Sequence, residues 1–203
     1  GVPTRSVALD GTSSILIYGA QFEIGSVPSS YIPTAGSSIT RPLEALVIPA
    51  ANLSSVVNTT AMSMSLTGNM SYADLGATSQ TTLARWYVDA NNSIIIDMDT
   101  DGAATGEMNF NQNAAGVLDT VASSATAYAA GVNVPFSIAS YHTSGAINGA
   151  VDGTALTENA TPAALADLST ADFQIAYAGI HNLEICSIWG VGIGDDGIGE
   201  ASA

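Results

Sequence analysis

The segment Thr60–Thr67 constrains this chain most. It reads Thr-Ala-Met-Ser-Met-Ser-Leu-Thr, so apolar and polar residues alternate with a period of two. Successive side chains of an extended strand point to opposite faces. Met62, Met64 and Leu66 therefore share one face, and Ser63, Ser65 and Thr67 the other. The same texture continues along the chain. Gln80–Asp89 and Ser93–Thr100 read as two strands joined at Ala90-Asn91-Asn92, where asparagine's tolerance of left-handed backbone angles suits a tight hairpin. Further strands are expected over Val134–Tyr141, Gly145–Ala150, Ala171–Ala178 and Leu183–Val191, and Asn148-Gly149 and Asp152-Gly153 read as turns. Helix signals are few. Pro162 interrupts the alanine-rich Ala160–Leu168, and Asp195–Ser202 reads as a short terminal turn with Asp195 as its cap. Many short strands with few helices indicate an all-β sandwich or barrel.

The first fifty residues differ. Ser14–Ile24 reads as a strand, and Pro28, Pro33, Pro42 and Pro49 then follow at close spacing. Proline fixes φ and removes a ladder donor, so this stretch is expected to be an extended connector. One strand and a connector bury no core of their own. The expected organisation is a strand plus linker over residues 1–51 and a β-sandwich over residues 52–203.

Charge excludes whole classes of partner. The 203 residues hold 18 Asp and Glu against three bases, Arg5, Arg41 and Arg85, for a net charge of −15. A chain without a basic stripe cannot displace counterions from nucleic acid, nor dock electrostatically on an anionic membrane. With 10% of residues charged and 47% hydrophobic, the composition is that of a folding chain. No run approaches the roughly 18 apolar residues of a spanning helix. The single cysteine, Cys186, cannot form an internal disulfide, and its apolar neighbours mark it as a small buried hydrophobe.

Two sets of residues stand out as candidate sites. Asp97-Met-Asp99-Thr-Asp101-Gly102 has the spacing that opens an EF-hand loop, but the twelfth position is Met108 rather than a bidentate glutamate. The remaining reading is a β-loop calcium site on Asp97, Asp99 and Asp101, with a solvated acidic hairpin as the alternative. On a strand Asp97 and Asp99 share a face. The second set is aromatic. Trp86 and Tyr87 are adjacent on a strand and point to opposite faces, so one belongs to the core and the other is available to stack on a sugar ring. Tyr141 and Asn148 complete the residues nominated for glycan contact. His142 and His181 lack metal-spaced partners, apart from Glu184 and Cys186 near His181. No nucleophile elbow, phosphate loop or dinucleotide fingerprint occurs, and no catalytic residue is assigned.

The string Tyr18-Gly-Ala-Gln-Phe-Glu-Ile-Gly-Ser-Val-Pro-Ser-Ser-Tyr-Ile-Pro-Thr34, followed by Ser38-Ile-Thr-Arg-Pro42, resembles a linker pattern of tailed-bacteriophage tail, fibre and head-spike proteins. In that family a strand ending in Gly-Ala-Gln-x-Glu closes one β-sandwich, and a Ser-Tyr-Ile-Pro-Thr connector ending in Thr-Arg leads to the next module. Pro42 departs from the pattern, which has a small residue there. The following module in such proteins resembles a concanavalin A-like, laminin-G-like jelly roll. Val134–His142, Gly145–Gly153, Phe173–Ala178 and Leu183–Trp189 are similar to that fold's later strands and hairpin, with Asp195–Ser202 as its terminal turn. The resemblance implies a non-enzymatic component of the virion exterior. Its partners would be other virion proteins, further copies of itself in an oligomer such as a trimer, and a host surface polysaccharide. A decoration module without a ligand and a polysaccharide depolymerase are the alternatives.

Overall fold

The alternation at Thr60–Thr67 does become a strand, and the two-sided pattern organises everything around it. The computed structural model describes residues 46–53, 60–74, 76, 79–175 and 180–203. All fall within the unit Pro42–Ala203. The strand expected over Ser14–Ile24, the proline-rich connector and the string over 18–42 lie outside the described residues.

In chain order the elements are β1 (Leu46–Ile48), α1 (Ala50–Leu53), β2 (Ala61–Tyr72), β3 (Gln80–Asp89), β4 (Asn92–Asp99), β5 (Met108–Ala114), β6 (Val117–Ala122), β7 (Gly131–Thr143), β8 (Ile147–Val151), β9 (Thr154–Ala155), β10 (Phe173–Ile175), β11 (Ile180–Trp189) and α2 (Gly194–Ala201). The strands form two antiparallel sheets. Sheet A has the order β1-β10-β3-β4-β5-β6, and sheet B the order β11-β2-β7-β8-β9. This is the all-β sandwich that the alternation predicts. β1 stands ahead of residue 52, the boundary expected from sequence, yet it is an edge strand of sheet A through its pairing with β10.

The core lies between the sheets. Met62, Met64 and Leu66 of β2 face Ile94, Ile96 and Met98 of β4 and Met108 and Phe110 of β5, all at most 1% exposed. Each such side chain contributes roughly 1.5–3 kcal/mol of hydrophobic burial. Trp86 belongs to this layer. It is 4% exposed and its Nε1 donates to the Ala171 carbonyl at 2.8 Å, which satisfies the one polar atom the ring carries inward.

Three local expectations are corrected. Asn148-Gly149 is not a turn but the middle of β8. A Cβ on Gly149 would sit 2.2 Å from the Phe110 ring, so the glycine is there to admit an aromatic from the facing sheet. The β3–β4 hairpin turns at Ala90-Asn91 without a positive φ at either asparagine. Asp89 organises it instead, its Oδ1 accepting from the Asn91 N–H at 2.8 Å and from Asn92 Nδ2 at 3.1 Å. Asp195 is not the cap of α2. The cap position is Ile193, with no side-chain hydrogen bond, and the Asp195 carboxylate reaches back to sheet B. The turn at Asp152-Gly153 does form, with φ of 47° and 79°. Ala115 and Gly116, at 52° and 83°, make the equivalent turn between β5 and β6.

The outer face of sheet B is covered. The chain end returns across it, and Ile198 of α2 is wholly buried against Ala139, Tyr141 and Ala150. Ser63 and Ser65, on the face opposite Met62, Met64 and Leu66, are 0% and 4% exposed. Ser63 Oγ donates to the Val191 carbonyl at 2.6 Å and accepts from the Ile193 N–H at 3.1 Å.

Candidate functional site

Among the described residues, nothing comparable crosses the outer face of sheet A. Its side chains follow directly from the strand registers. Gln80 lies opposite Asp99; Thr82 opposite Asp97 and then Asn109; Gln174, Arg85, Ile95, Asn111 and Thr120 form the next row; and Tyr87, Ser93, Asn113 and Leu118 the last. These rows frame a shallow groove of about 360 Å³ running across β3 to β6. Its floor is made of carboxylates and carboxamides, and Tyr87 and Leu118, 39% and 60% exposed, stand at one end.

The floor is hydrogen-bonded into a lattice. Asp97 Oδ1 accepts from Thr82 Oγ1 at 2.7 Å and its Oδ2 from Asn111 Nδ2 at 3.3 Å. Asp99 Oδ1 accepts from Gln80 Nε2 at 2.8 Å and its Oδ2 from Asn109 Nδ2 at 3.0 Å. Thr120 Oγ1 donates to Asn111 Oδ1 at 2.7 Å, and Asn113 Nδ2 to the Ala90 carbonyl at 2.9 Å. Asn113 Oδ1 is buried without a partner. The two hairpin tips beside the groove are tied together by the Ala115 N–H on Asn92 Oδ1 at 3.2 Å and the Gly116 N–H on the Asn91 carbonyl at 3.0 Å. Side chains restrained in this way lose little rotamer freedom when a ligand binds.

Burial, and to a lesser degree the neighbouring Asp99, hold the Asp97 carboxyl above the usual carboxylate range; the Thr82 and Asn111 hydrogen bonds oppose this. Glu107 is shifted the same way, first by desolvation and then by Asp99 and Asp101. Arg85 is the one Arg or Lys among the described residues. Its Nε donates to Gln174 Oε1 at 2.6 Å and its guanidinium carbon lies 5.2 Å from the centre of the Tyr87 ring.

The structure distributes the sequence-nominated residues unevenly. Tyr87 lies at the groove and Trp86 in the core, as adjacent strand residues must. Tyr141 and Asn148 are in the other sheet, 4% and 0% exposed beneath α2. The Tyr141 hydroxyl contacts the Glu158 and Asp195 carboxylates, and Asn148 Nδ2 donates to Asp195 Oδ1 at 2.8 Å and to the Leu156 carbonyl at 3.0 Å. Asp97 and Asp99 share the open face, as strand spacing demands, while Asp101 precedes a short 3-10 turn, Gly102–Ala104. Among the described residues no three His, Cys, Asp or Glu side chains are gathered to hold a metal. Cys186 is half-buried, and burial pushes its thiol up to about 11, far from a reactive thiolate.

The residues that sequence reasoning missed are Asn109, Asn111 and Asn113. Their signal was present: asparagine at every second position of Met-Asn-Phe-Asn-Gln-Asn-Ala, alternating with Met108, Phe110, Gln112 and Ala114. Asparagine disfavours strands, and that low propensity hid a period-two pattern whose polar face is the site.

No protein-family model and no curated protein matches the chain. Solved structures do. The chain is similar to the NanB sialidase of Streptococcus pneumoniae, with a TM-score of 0.58 at 14% identity, over 83% of this chain and 28% of that one. It is similar to botulinum neurotoxin type C in a structure concerned with its interaction with two ganglioside molecules (TM-score 0.54, 10% identity, 77% of this chain and 38% of that). The CBM40 domain of the Ruminococcus gnavus IT-sialidase matches with a TM-score of 0.51 at 10% identity, over 71% of this chain and 84% of that domain. The chain thus spans about a quarter to two-fifths of the larger proteins. At these identities the likeness is one of fold, a lectin-like two-sheet antiparallel β-sandwich.

Proposed function

We propose that this chain is a glycan-binding module that works through the open face of sheet A. The observation that carries the reading is the groove itself. It sets a restrained lattice of carboxylate and carboxamide groups beside an exposed tyrosine, which is the chemistry that recognises a sugar's hydroxyls and its apolar ring face. The similarity to a sialidase CBM40 domain and to a toxin studied for its ganglioside interaction supports it. The role is binding without catalysis, a reading supported by the carbohydrate-binding domain among the similar structures. Calcium on Asp97 and Asp99 is the subordinate proposal, because carboxylate and amide oxygens suit that ion. Binding to a glycan array that falls at least tenfold in Tyr87→Ala and in Asn111→Ala, with unfolding unchanged, is the expected result. Undiminished binding in both variants places the contact elsewhere.

The setting we propose is the exterior of a bacteriophage particle, with virion proteins and further copies of this chain as partners. The connector string at residues 18–42 is its support. Weak single-site sugar contacts combine by avidity in such an assembly. Detection of the chain in purified particles by mass spectrometry, with surface labelling by antibody, is the expected outcome. Its absence from particles removes the setting and leaves the binding reading intact.

A further inference from the structure

We infer that the groove accepts uncharged, hydroxyl-rich sugars and excludes acidic ones, sialic acid included. This rests on the glycan reading above and assigns the ligand class of that same face. Two features of the floor lead there.

The first is the balance of donors and acceptors. An ionised carboxylate offers about four lone-pair positions and no donor. Asp97 and Asp99 each use two of these positions on neighbouring side chains, one per oxygen, and have acceptor capacity left over. Donors remain beside them. The Thr82 and Thr120 hydroxyl protons are taken by Asp97 and by Asn111 Oδ1, but the Gln80, Asn109, Asn111 and Asn113 amides each give one hydrogen bond within the protein and carry a second N–H. The floor therefore sets carboxylate acceptors beside amide donors. A sugar hydroxyl, which both donates and accepts, matches both. A sugar carboxylate is acceptor-only and gains nothing from the carboxylates it must approach.

The second feature is charge. The only Arg or Lys among the described residues, Arg85, stands at the edge of the groove and not on its floor, bonded to Gln174 and over Tyr87. Asp97 and Asp99 do line it. An incoming carboxylate thus meets like charges at close quarters, in a chain whose net charge of −15 adds to the repulsion. The fold is shared with proteins that include sialidases, and on this chain the charged groups lining the groove are carboxylates.

The test uses the full chain and three matched pairs of probes: lactose with 3′-sialyllactose, chitotriose with a hyaluronan tetrasaccharide, and mannotriose with a mannuronate trisaccharide. Calorimetry at neutral pH should show binding of at least one neutral probe, with its acidic counterpart at least about tenfold weaker. That gap should narrow in high salt, because screening weakens repulsion between exposed charges. It should narrow again in Asp97→Asn/Asp99→Asn, which removes both charges and keeps an acceptor oxygen at each position. Circular dichroism confirms that the variant folds, and Asp99→Asn alone serves if the pair does not. Acidic probes binding as tightly as neutral ones overturn the inference while upholding the glycan reading. So does a gap that survives both salt and substitution. Failure of all six probes to bind brings down the glycan reading itself, a result read from the absence of heat rather than from a ratio.

Discussion

The outer faces of the two sheets begin from the same sequence pattern and end in opposite states. On sheet B, polar residues at alternate positions of β2, Ser63 and Ser65, are buried because the chain end crosses over them and α2 docks on the neighbouring strands. On sheet A, the corresponding polar positions of β4 and β5 line a groove instead, with Ser93, Asp97 and Asn109 sunk into its floor and Asp99, Asn111 and Asn113 partly exposed. Asn148 and Asn111 carry the same carboxamide. The first is wholly buried and holds Asp195 in place; the second lies on the groove floor. Alternation decides which residues leave the core. Whether they then meet water, a ligand or the protein's own terminus is decided by the return of segments far away in sequence.

Acid gives the strongest test of this contrast, because the two sheets respond with opposite sign. His142 of β7 is wholly buried with Nδ1 lacking a partner, and burial pushes its pKa down to about 3. A histidine that stays neutral when folded but charges near pH 6.5 when unfolded contributes stability above that pH. The contribution is lost as pH falls toward the folded value. Several kcal/mol are at stake, at about 1.4 kcal/mol per unit. Asp97 on sheet A works the other way. Its raised carboxyl contributes stability that is fully present below the ordinary aspartate range and disappears as pH rises through the folded value. Urea midpoints should fall steeply between pH 6.5 and 3, and His142→Leu should flatten that fall. A variant that keeps the full slope would assign acid sensitivity to carboxylates alone.

Removing the cover comes next. Ile198→Ala deletes a side chain with no exposed surface and should cost about 3 kcal/mol in chemical unfolding. Amide exchange should accelerate over residues 139–150 and not on the groove strands. Ser63→Ala should cost about 1–2 kcal/mol, since the Ile193 N–H and the Val191 carbonyl both lose their partner. Tyr87→Ala on the open face is the smallest in stability, within about 0.5 kcal/mol, because the ring is well exposed. It should nevertheless cost roughly tenfold in glycan affinity, the usual order for one stacking aromatic. A stability loss as large as that of Ile198→Ala would mean that the open face is structural and the contrast false.

Much of the architecture was legible. The hairpin of β3 and β4, the long β7 and the terminal β11 follow from alternation and turn residues, and the inward set Met62, Met64 and Leu66 can be read straight from the string. Trp86 and Tyr87 had to part company, and the structure settles which went inward. Less was legible where residue type and role disagree. Asn-Gly usually signals a turn, but at Asn148-Gly149 the glycine makes room for Phe110 from the other sheet. Asparagine-rich β5 lacks strand propensity and is held by pairing on both sides. The calcium spacing of Asp97, Asp99 and Asp101 is a one-dimensional pattern. In the fold the first two turn to Thr82, Gln80 and asparagines on flanking strands.

The sequence by itself determined that this chain forms two-sided strands and which residues make the dry layer between them, and its net charge of −15 sets the expectation that polyanions are not its partners. These follow from short-range periodicity and total charge, which need no knowledge of who neighbours whom. The tertiary structure alone decided which outer face carries the groove. That choice depends on a contact such as Ser63 with Ile193, 130 residues apart. It also depends on strand registers that bring Thr82, Asp97 and Asn109 into one row, and both arise only when distant segments pack together.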